Sequence, residues 1–243
     1  MDKKMRLDRY LSNMGLGSRS EVGKIIKSGG VKADGAVQKQ ASFMVCVGET
    51  QVVMQGQPVV YEQYHYLVMN KPVGVICAAK DGKEKTVMEL LDLPYSKMKL
   101  FTAGRLDKDT VGLLIITNDG QFAHEMLAPK KHVKKTYEAT IEGRLTLEDI
   151  ETLSRGVELA DGYETLPAQV EVLSEEGENA LVALTIMEGK YHQVKRMFAA
   201  VGTRVVHLKR VTIGGLSLPD DLEEGMYMPI EGKALFTQIF GKE

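Results

Sequence analysis

The sequence predicts an α+β fold in two parts, a small N-terminal α/β module over residues 1–60 and a larger domain over 61–243 built on a mixed, mainly antiparallel sheet with flanking helices. Three observations predict it. Two helix patterns and a few short strands are compressed into the first 60 residues, too little for a strong core of their own. A break with Pro58 and polar flanks follows in GQPVVYEQ. Beyond it, strand patterns predominate and most neighbours are joined as hairpins, which disfavours a doubly wound nucleotide-binding fold.

In the N-terminal module, Leu7, Leu11 and Met14 recur at helical spacing. Ser18 followed by Glu21 forms a capping box for a second helix carrying Val22, Ile25 and Ile26 on one face. Gly29 and Gly30 stop that helix. VKADGAVQ alternates around Asp34-Gly35, a tight-hairpin dipeptide, and VGETQVVMQG continues as a short strand.

In the larger domain, YHYLVMN reads as a strand stopped by Lys71, Pro72 and Gly74. KLFTAG and GLLIITND read as two more, QFAHEMLA as a helix, KTYEATIEG as a strand and TLEDIETLSRGV as a capped helix. AQVEVLS and ALVALTIME form a hairpin across EEGEN. YHQVKRMFAAVG is a helix closed by Gly202, and TRVVHLKRVTIGG returns as a strand.

Composition narrows the class. A chain of 243 residues with 44% hydrophobic and 26% charged residues is ordinary for a globular protein. Its longest apolar runs, such as Val111 to Thr117, fall far short of the roughly 20 residues of a membrane helix, and MDKKMRLDRY has no signal-peptide core, so a cytoplasmic protein without a membrane partner is expected. Cys46 and Cys77 occur without CxxC or histidines at ligand spacing, which supports neither a disulfide framework nor a zinc site. No phosphate-binding glycine motif is present, so no cofactor is expected.

The net charge of −2 argues against a nucleic-acid partner, but the distribution argues for one. Residues 1–40 hold nine Lys and Arg (Lys3, Lys4, Arg6, Arg9, Arg19, Lys24, Lys27, Lys32, Lys39) against four acids (Asp2, Asp8, Glu21, Asp34). PKKHVKKTY at 129–137 and GKYHQVKRMFAAVGTRVVHLKR at 189–210 are two further basic blocks, neither containing an acid. Binding to phosphates through counterion release depends on such local clusters and not on total charge. The plainer reading of any one block is a solvated face.

Within TAGRLDKDTVGLLIITNDG, Asp107 lies just before a continuous apolar run, which reads as a strand buried on both faces. Gly104 and Gly112 permit tight backbone there, and Thr110 can hydrogen-bond the loop. Taken alone, an aspartate between two strands is more often a turn former than a working group.

Resemblance decides what local reading leaves open. MRLDRYLSNMGLGSRSEVGKIIKSGGVKADGAVQ resembles the S4 RNA-binding module, which implies RNA contacts from Arg6, Arg9, Arg19, Lys24, Lys27 and Lys32. GRLDKDTVGLLIITNDG, NKPVG at 70–74, KKTYEATIEG at 134–143 and EGKYHQVKRMFAAVG at 188–202, in this order behind that module, closely resemble the S4-domain-containing pseudouridine synthases. The resemblance is to the branch that modifies ribosomal RNA, and within it to enzymes of the small-subunit 16S RNA.

This resemblance implies isomerisation of a uridine in folded RNA: the bond from ribose C1′ to N1 breaks, the base rotates, and C5 joins the same carbon. It assigns Asp107 as the ionised carboxylate, either nucleophile or the base that removes the C2′ proton. Lys195 falls at the basic position paired with it, where other branches carry arginine. Tyr137 is the residue that stacks on the target uracil and assists loss of the C5 proton. Arg105 is implied to fill the space of an extruded base, and Lys71, grouped with the substrate-binding residues, with Pro72 to shape the pocket wall. His192 and Gln193 are expected to brace the helix of Lys195. Val111 departs from the serine or threonine of several branches.

The implied partner is 16S ribosomal RNA, free or in an assembling small subunit, with a monomeric protein expected. Alternatives are action on 23S RNA, and a non-catalytic ribosome-assembly factor, which the basic blocks fit equally well. What separates the latter is the joint presence of Asp107, Tyr137 and Lys195, since binding alone does not require a carboxylate facing RNA. A glycoside hydrolase needs two carboxylates flanking the bond; Asp109 could supply the second only by facing the same way as Asp107.

Overall fold

The computed structural model describes residues 4–241; Lys3, counted among the basic residues above, lies outside them. Two compact units are present: residues up to His65 together with Met88–Leu100, and Tyr66–Val87 together with the chain from Phe101 onward.

The smaller unit contains β1 (Lys4–Arg6), α1 (Leu7–Asn13), α2 (Arg19–Lys27), β2 (Val31–Ala33), β3 (Ala36–Gln38), β4 (Met44–Cys46), β5 (Val52–Met54) and β6 (Gln57–Val59). Both halves of the expected capping box form at α2, with Ser18 Oγ accepting from the Glu21 amide and the Glu21 carboxylate accepting from the Ser18 amide. Asp34 and Gly35 both have positive φ, the backbone a two-residue hairpin between β2 and β3 needs. The small sheet runs β3-β2-β5-β6, while β1 pairs with β4. Leu7, Leu11, Val22, Ile26, Val31 and Val52 make its core. The segment read as a break holds β6, an edge strand, where Pro58 costs no ladder hydrogen bond.

The larger unit contains β7 (Tyr66–Lys71), β8 (Phe101–Ala103), β9 (Val111–Thr117), α3 (Gly120–Leu127), β10 (Lys135–Glu142), α4 (Leu147–Arg155), β11 (Gln169–Glu176), β12 (Asn179–Ile186), α5 (Gln193–Ala200), β13 (Val205–Ile213), β14 (Leu216–Ser217), β15 (Tyr227–Pro229) and α6 (Gly232–Phe240). Its sheet runs β11-β12-β10-β13-β9-β7-β15, with β8 on β9 and β14 on β13. Among the described strands every pairing in it is antiparallel except β9 with β13. Every residue of β9 is buried, as its uninterrupted apolar run requires. Leu113 and Ile115 pack with Phe122 and Met126 of α3 and with Leu235 and Ile239 of α6. α6 goes unread in the sequence, although Leu235, Phe236, Ile239 and Phe240 recur at helical spacing.

The parallel contact between β9 and β13 depends on Gly112, which faces Arg210 across the pair. Its φ is +101°, and a Cβ there would lie 2.3 Å from the Arg210 carbonyl oxygen. Backbone has nowhere to yield in a buried ladder. Gly112→Ala should therefore destabilise the protein by about 3 kcal/mol or more, combining left-handed strain with overpacking. Thermal unfolding checks this, and an unchanged Tm would show that the two strands do not approach as closely as described.

Candidate active site

The loop from Gly104 to Thr110 joins β8 to β9 and is held by the connection that follows β7. Lys71 lies at the end of β7 with no exposed surface. Its ammonium donates to the carbonyls of Thr110 (2.8 Å), Pro72 (3.0 Å) and Lys108 (3.4 Å). Gly74 N donates to the Lys108 carbonyl at 2.8 Å, and Leu106 N to Cys77 Sγ at 3.3 Å. Burial pushes the Lys71 pKa down, against the pull of Cys77, Asp109 and Asp107. This corrects the expectation that Lys71 binds substrate. Sunk beneath the loop, it has no surface to offer RNA and instead ties down the loop just after Asp107, at Lys108 and Thr110.

On top of the loop, Asp107 meets the start of α5. His192 Nε2 lies 3.4 Å from Asp107 Oδ1, and Lys195 Nζ 3.8 Å from Asp107 Oδ2. Lys195 makes its shorter bond to Asp109 Oδ1, at 2.6 Å. The expected Asp107–Lys195 contact is thus present but long, because one ammonium is shared by two carboxylates on the same loop. Its hydrogen bond holds the Asp109 carboxyl below the usual carboxylate range, against the opposing effect of burial.

The start of α5 is itself pinned. Gln193, almost fully buried, accepts from Lys190 N at 2.8 Å and donates to Glu188 Oε1 at 2.6 Å. Glu188 also accepts from Leu166 N and the Tyr163 hydroxyl. His192 has φ +50°, and its ring stacks on Tyr191 at 3.8 Å. Gln193 braces the helix as expected, whereas His192 is turned outward from it onto Asp107.

A cleft of about 770 Å³ opens beside these groups. Arg105, Asp107, Tyr137, His192, Lys135 and Arg210 all line it. Lys135, Tyr137, Ala139 and Ile141 are the buried positions of β10, alternating as a strand must. A shift of register between Thr136 and Tyr137 bends the ladder at the tyrosine, the kind of irregularity that re-aims side chains near sites. Arg105 is exposed, and among the described residues no carboxylate pairs with it. Arg6, Arg9, Arg19, Lys24, Lys27 and Lys32 belong to the smaller unit and are exposed there. Two of them are fixed by Asp8, which accepts from Arg6 (2.9 Å) and Arg19 (2.8 Å). Burial alone would raise the Asp8 pKa, but these bonds outweigh it and hold the group below its ordinary range.

A family model described as RNA pseudouridylate synthase matches residues 65–200, the span that carries the loop, Tyr137 and Lys195. The chain belongs to the RNA pseudouridylate synthase family. It is an isomerase, a pseudouridine synthase carrying an S4 domain, whose own family model matches residues 5–50. A Bacillus subtilis protein named uncharacterized RNA pseudouridine synthase YtzG is 46% identical over 95% of this chain and 97% of its own. The ribosomal small subunit pseudouridine synthase A proteins of Vibrio cholerae and Escherichia coli K12 are 44% and 40% identical, covering 92% and 97% of this synthase and 94% and 100% of their own lengths. A crystal structure of a pseudouridylate synthase, 35% identical, superposes with a TM-score of 0.67 over 97% of this chain and 99% of that one.

Sequence reading missed three neighbours of the site. Sequence alone does not say that Asp109 faces the same way as Asp107, two residues away in a loop; in the structure both carboxylates reach Lys195. Lys135 and Arg210 were read only as members of basic blocks. The signal for Arg210 is its place at an inward position of the apolar strand TRVVHLKRVTIGG. Among the described residues no cluster of three or more His, Cys, Asp or Glu is placed to hold a metal ion, and no helix is long and apolar enough to cross a membrane.

The Lys135 ammonium donates to the Val133 carbonyl at 2.9 Å. Burial first, then the charge of Arg210, pushes its pKa from 10.5 down to about 8. Between those values the unfolded chain binds the proton and the folded one does not, so this lysine makes stability rise with pH across that window. Measured by denaturant unfolding, the parent should gain stability relative to Lys135→Met from about pH 8 to 10.5. A constant difference between the two proteins over that range would contradict the buried-ammonium account.

Proposed function

We propose that this synthase converts one uridine of small-subunit 16S ribosomal RNA to pseudouridine. The relatives' names support the RNA, and the cleft supports the chemistry. The observation that carries the mechanism is a carboxylate, Asp107, flanked by His192 and Lys195 and sharing a cleft with Tyr137. A binding surface for phosphates gains nothing from a carboxylate there, so chemistry explains it better than assembly alone.

In this mechanism Arg6, Arg9, Arg19, Lys24, Lys27 and Lys32 contact phosphates of folded RNA, which position the substrate without reading its sequence. The target nucleotide leaves its stack, and the unpaired Arg105 occupies the space it vacates. Asp107 then attacks C1′ or takes the C2′ proton; Lys195 and His192 keep its carboxylate oriented in the cleft. The freed base turns and C5 bonds to C1′. Tyr137, with a flat ring and a polar tip, stacks on the base and assists removal of the C5 proton. The residues near 60 divide the RNA-binding module from this catalytic domain, and the reaction takes place in the cytoplasm, where ribosomal subunits assemble.

The direct experiment maps pseudouridine on 16S and 23S RNA from cells with and without the gene, by chemical labelling and primer extension. Loss of one 16S site is expected; loss of a 23S site would reassign the RNA, and loss of none would leave an assembly factor. Lys195→Met should lower turnover about 100-fold, a typical penalty for losing one charge-orienting contact, with RNA affinity little changed. Near-normal turnover would remove Lys195 from the mechanism. Tyr137→Phe should bind RNA and cleave the glycosidic bond yet stall before release of the C5 proton, so product formed at the parent rate would remove the tyrosine from that step.

A further inference from the structure

Arg210 is a buried cation whose structural duties leave part of it idle. It is 3% exposed, in the middle of β13, between β9 and β10. Its Nε donates to the Leu113 carbonyl at 2.8 Å, which fixes the guanidinium plane. Nη1 reaches the Tyr137 hydroxyl at 3.5 Å, and the guanidinium carbon lies 6.0 Å from the centre of the Tyr137 ring. Nη2 is buried and, among the described residues, has no hydrogen-bond partner.

A desolvated charged donor without an acceptor is costly, and such groups persist where a ligand completes them. Arg210 lines the cleft that holds Asp107 and Tyr137. Asp107, the carboxylate that also lines the cleft, is engaged by His192 and Lys195, and Lys135 beside Arg210 is a second cation. The acceptor that fits is therefore a carbonyl oxygen of a planar base lying against Tyr137.

We propose that Arg210 is a catalytic residue: its Nη2 donates to a uracil carbonyl oxygen and stabilises the uracil anion produced when the glycosidic bond breaks. This rests on the reading in the preceding subsection. When the C1′–N1 bond breaks, its electron pair stays on N1 and spreads over the ring onto O2 and O4. C1′ is meanwhile taken by the Asp107 carboxylate, or its electron demand is met by loss of the C2′ proton. Arg210 neither gains nor loses a proton, as guanidinium does not deprotonate in proteins. It holds the base more tightly as an anion than as the neutral ring, and that difference lowers the barrier. When C5 has bonded to C1′ and its proton has left, N1 is protonated and the contact weakens again.

The test compares a target uridine with 5-fluorouridine at the same position of one transcript, following consumption of the nucleoside under single turnover. Fluorine withdraws electrons through the ring and so stabilises the anion without help from the protein. Arg210→Gln should slow uridine about 100-fold or more, the usual loss for one oxyanion donor, but 5-fluorouridine only about tenfold, because less stabilisation is then required of the protein. Equal losses on both substrates, or no loss, would overturn the role, since a merely structural defect cannot tell them apart. For a variant that fails to fold, the parent protein is cross-linked by light to transcripts carrying 4-thiouridine or 2-thiouridine at the target. Attachment at Arg210 on β13 supports the contact, and attachment only elsewhere overturns it. A parent protein inert on uridine in both 16S and 23S transcripts would instead sink the proposed function, and this role with it.

Discussion

The site depends on one buried ammonium. Lys71 sits where no water reaches, and its charge is costly there unless the protein supplies acceptors. Three backbone carbonyls do so, two of them from the loop that carries Asp107. The lysine therefore cannot relax without freeing the loop, and the loop cannot move without stranding a charge. That reciprocal penalty is what makes a segment between two strands rigid enough to aim a carboxylate. Gly74 and Cys77 add bonds from the same connection, so NKPVG and GRLDKD are one structural unit although about thirty residues apart in sequence.

Above the loop, the electrostatics follow from sharing. Lys195 cannot satisfy both carboxylates at short range, and Asp109 has the closer bond. Asp107 is left with longer contacts to a lysine and a histidine, an arrangement that orients it while leaving its oxygens partly accessible to a substrate. Arg210 and Lys135 place further positive charge in the same cleft. The net charge of −2 says little about an anionic partner, because local potential follows where the cations cluster, in the cleft and over the smaller unit, and not the total.

Much of this was legible in the sequence, for identifiable reasons. The capping box at Ser18 and Glu21, the Asp34-Gly35 hairpin and the unbroken apolar run of β9 are local signals with a physical meaning, and each forms as read. Asp107, Tyr137 and Lys195 were found by resemblance; their convergence is tertiary and no spacing rule gives it. β1, β4, β6 and β15 have only three residues each, too few to show a period of two. Lys71 and Arg210 were misjudged or passed over because a cation in an apolar strand reads as surface until burial is known. What makes them informative is where their donors point, and sequence does not carry that.

The central claim is that the Asp107 carboxylate performs the first chemical step on an everted uridine. Asp107→Asn keeps the size of the side chain and the loop's backbone bonds while removing the negative charge. Purified Asp107→Asn protein, incubated with a 16S transcript on which the parent protein makes pseudouridine, should bind the RNA with similar affinity and form no measurable product. Conversion by the asparagine variant at the parent rate would contradict the account.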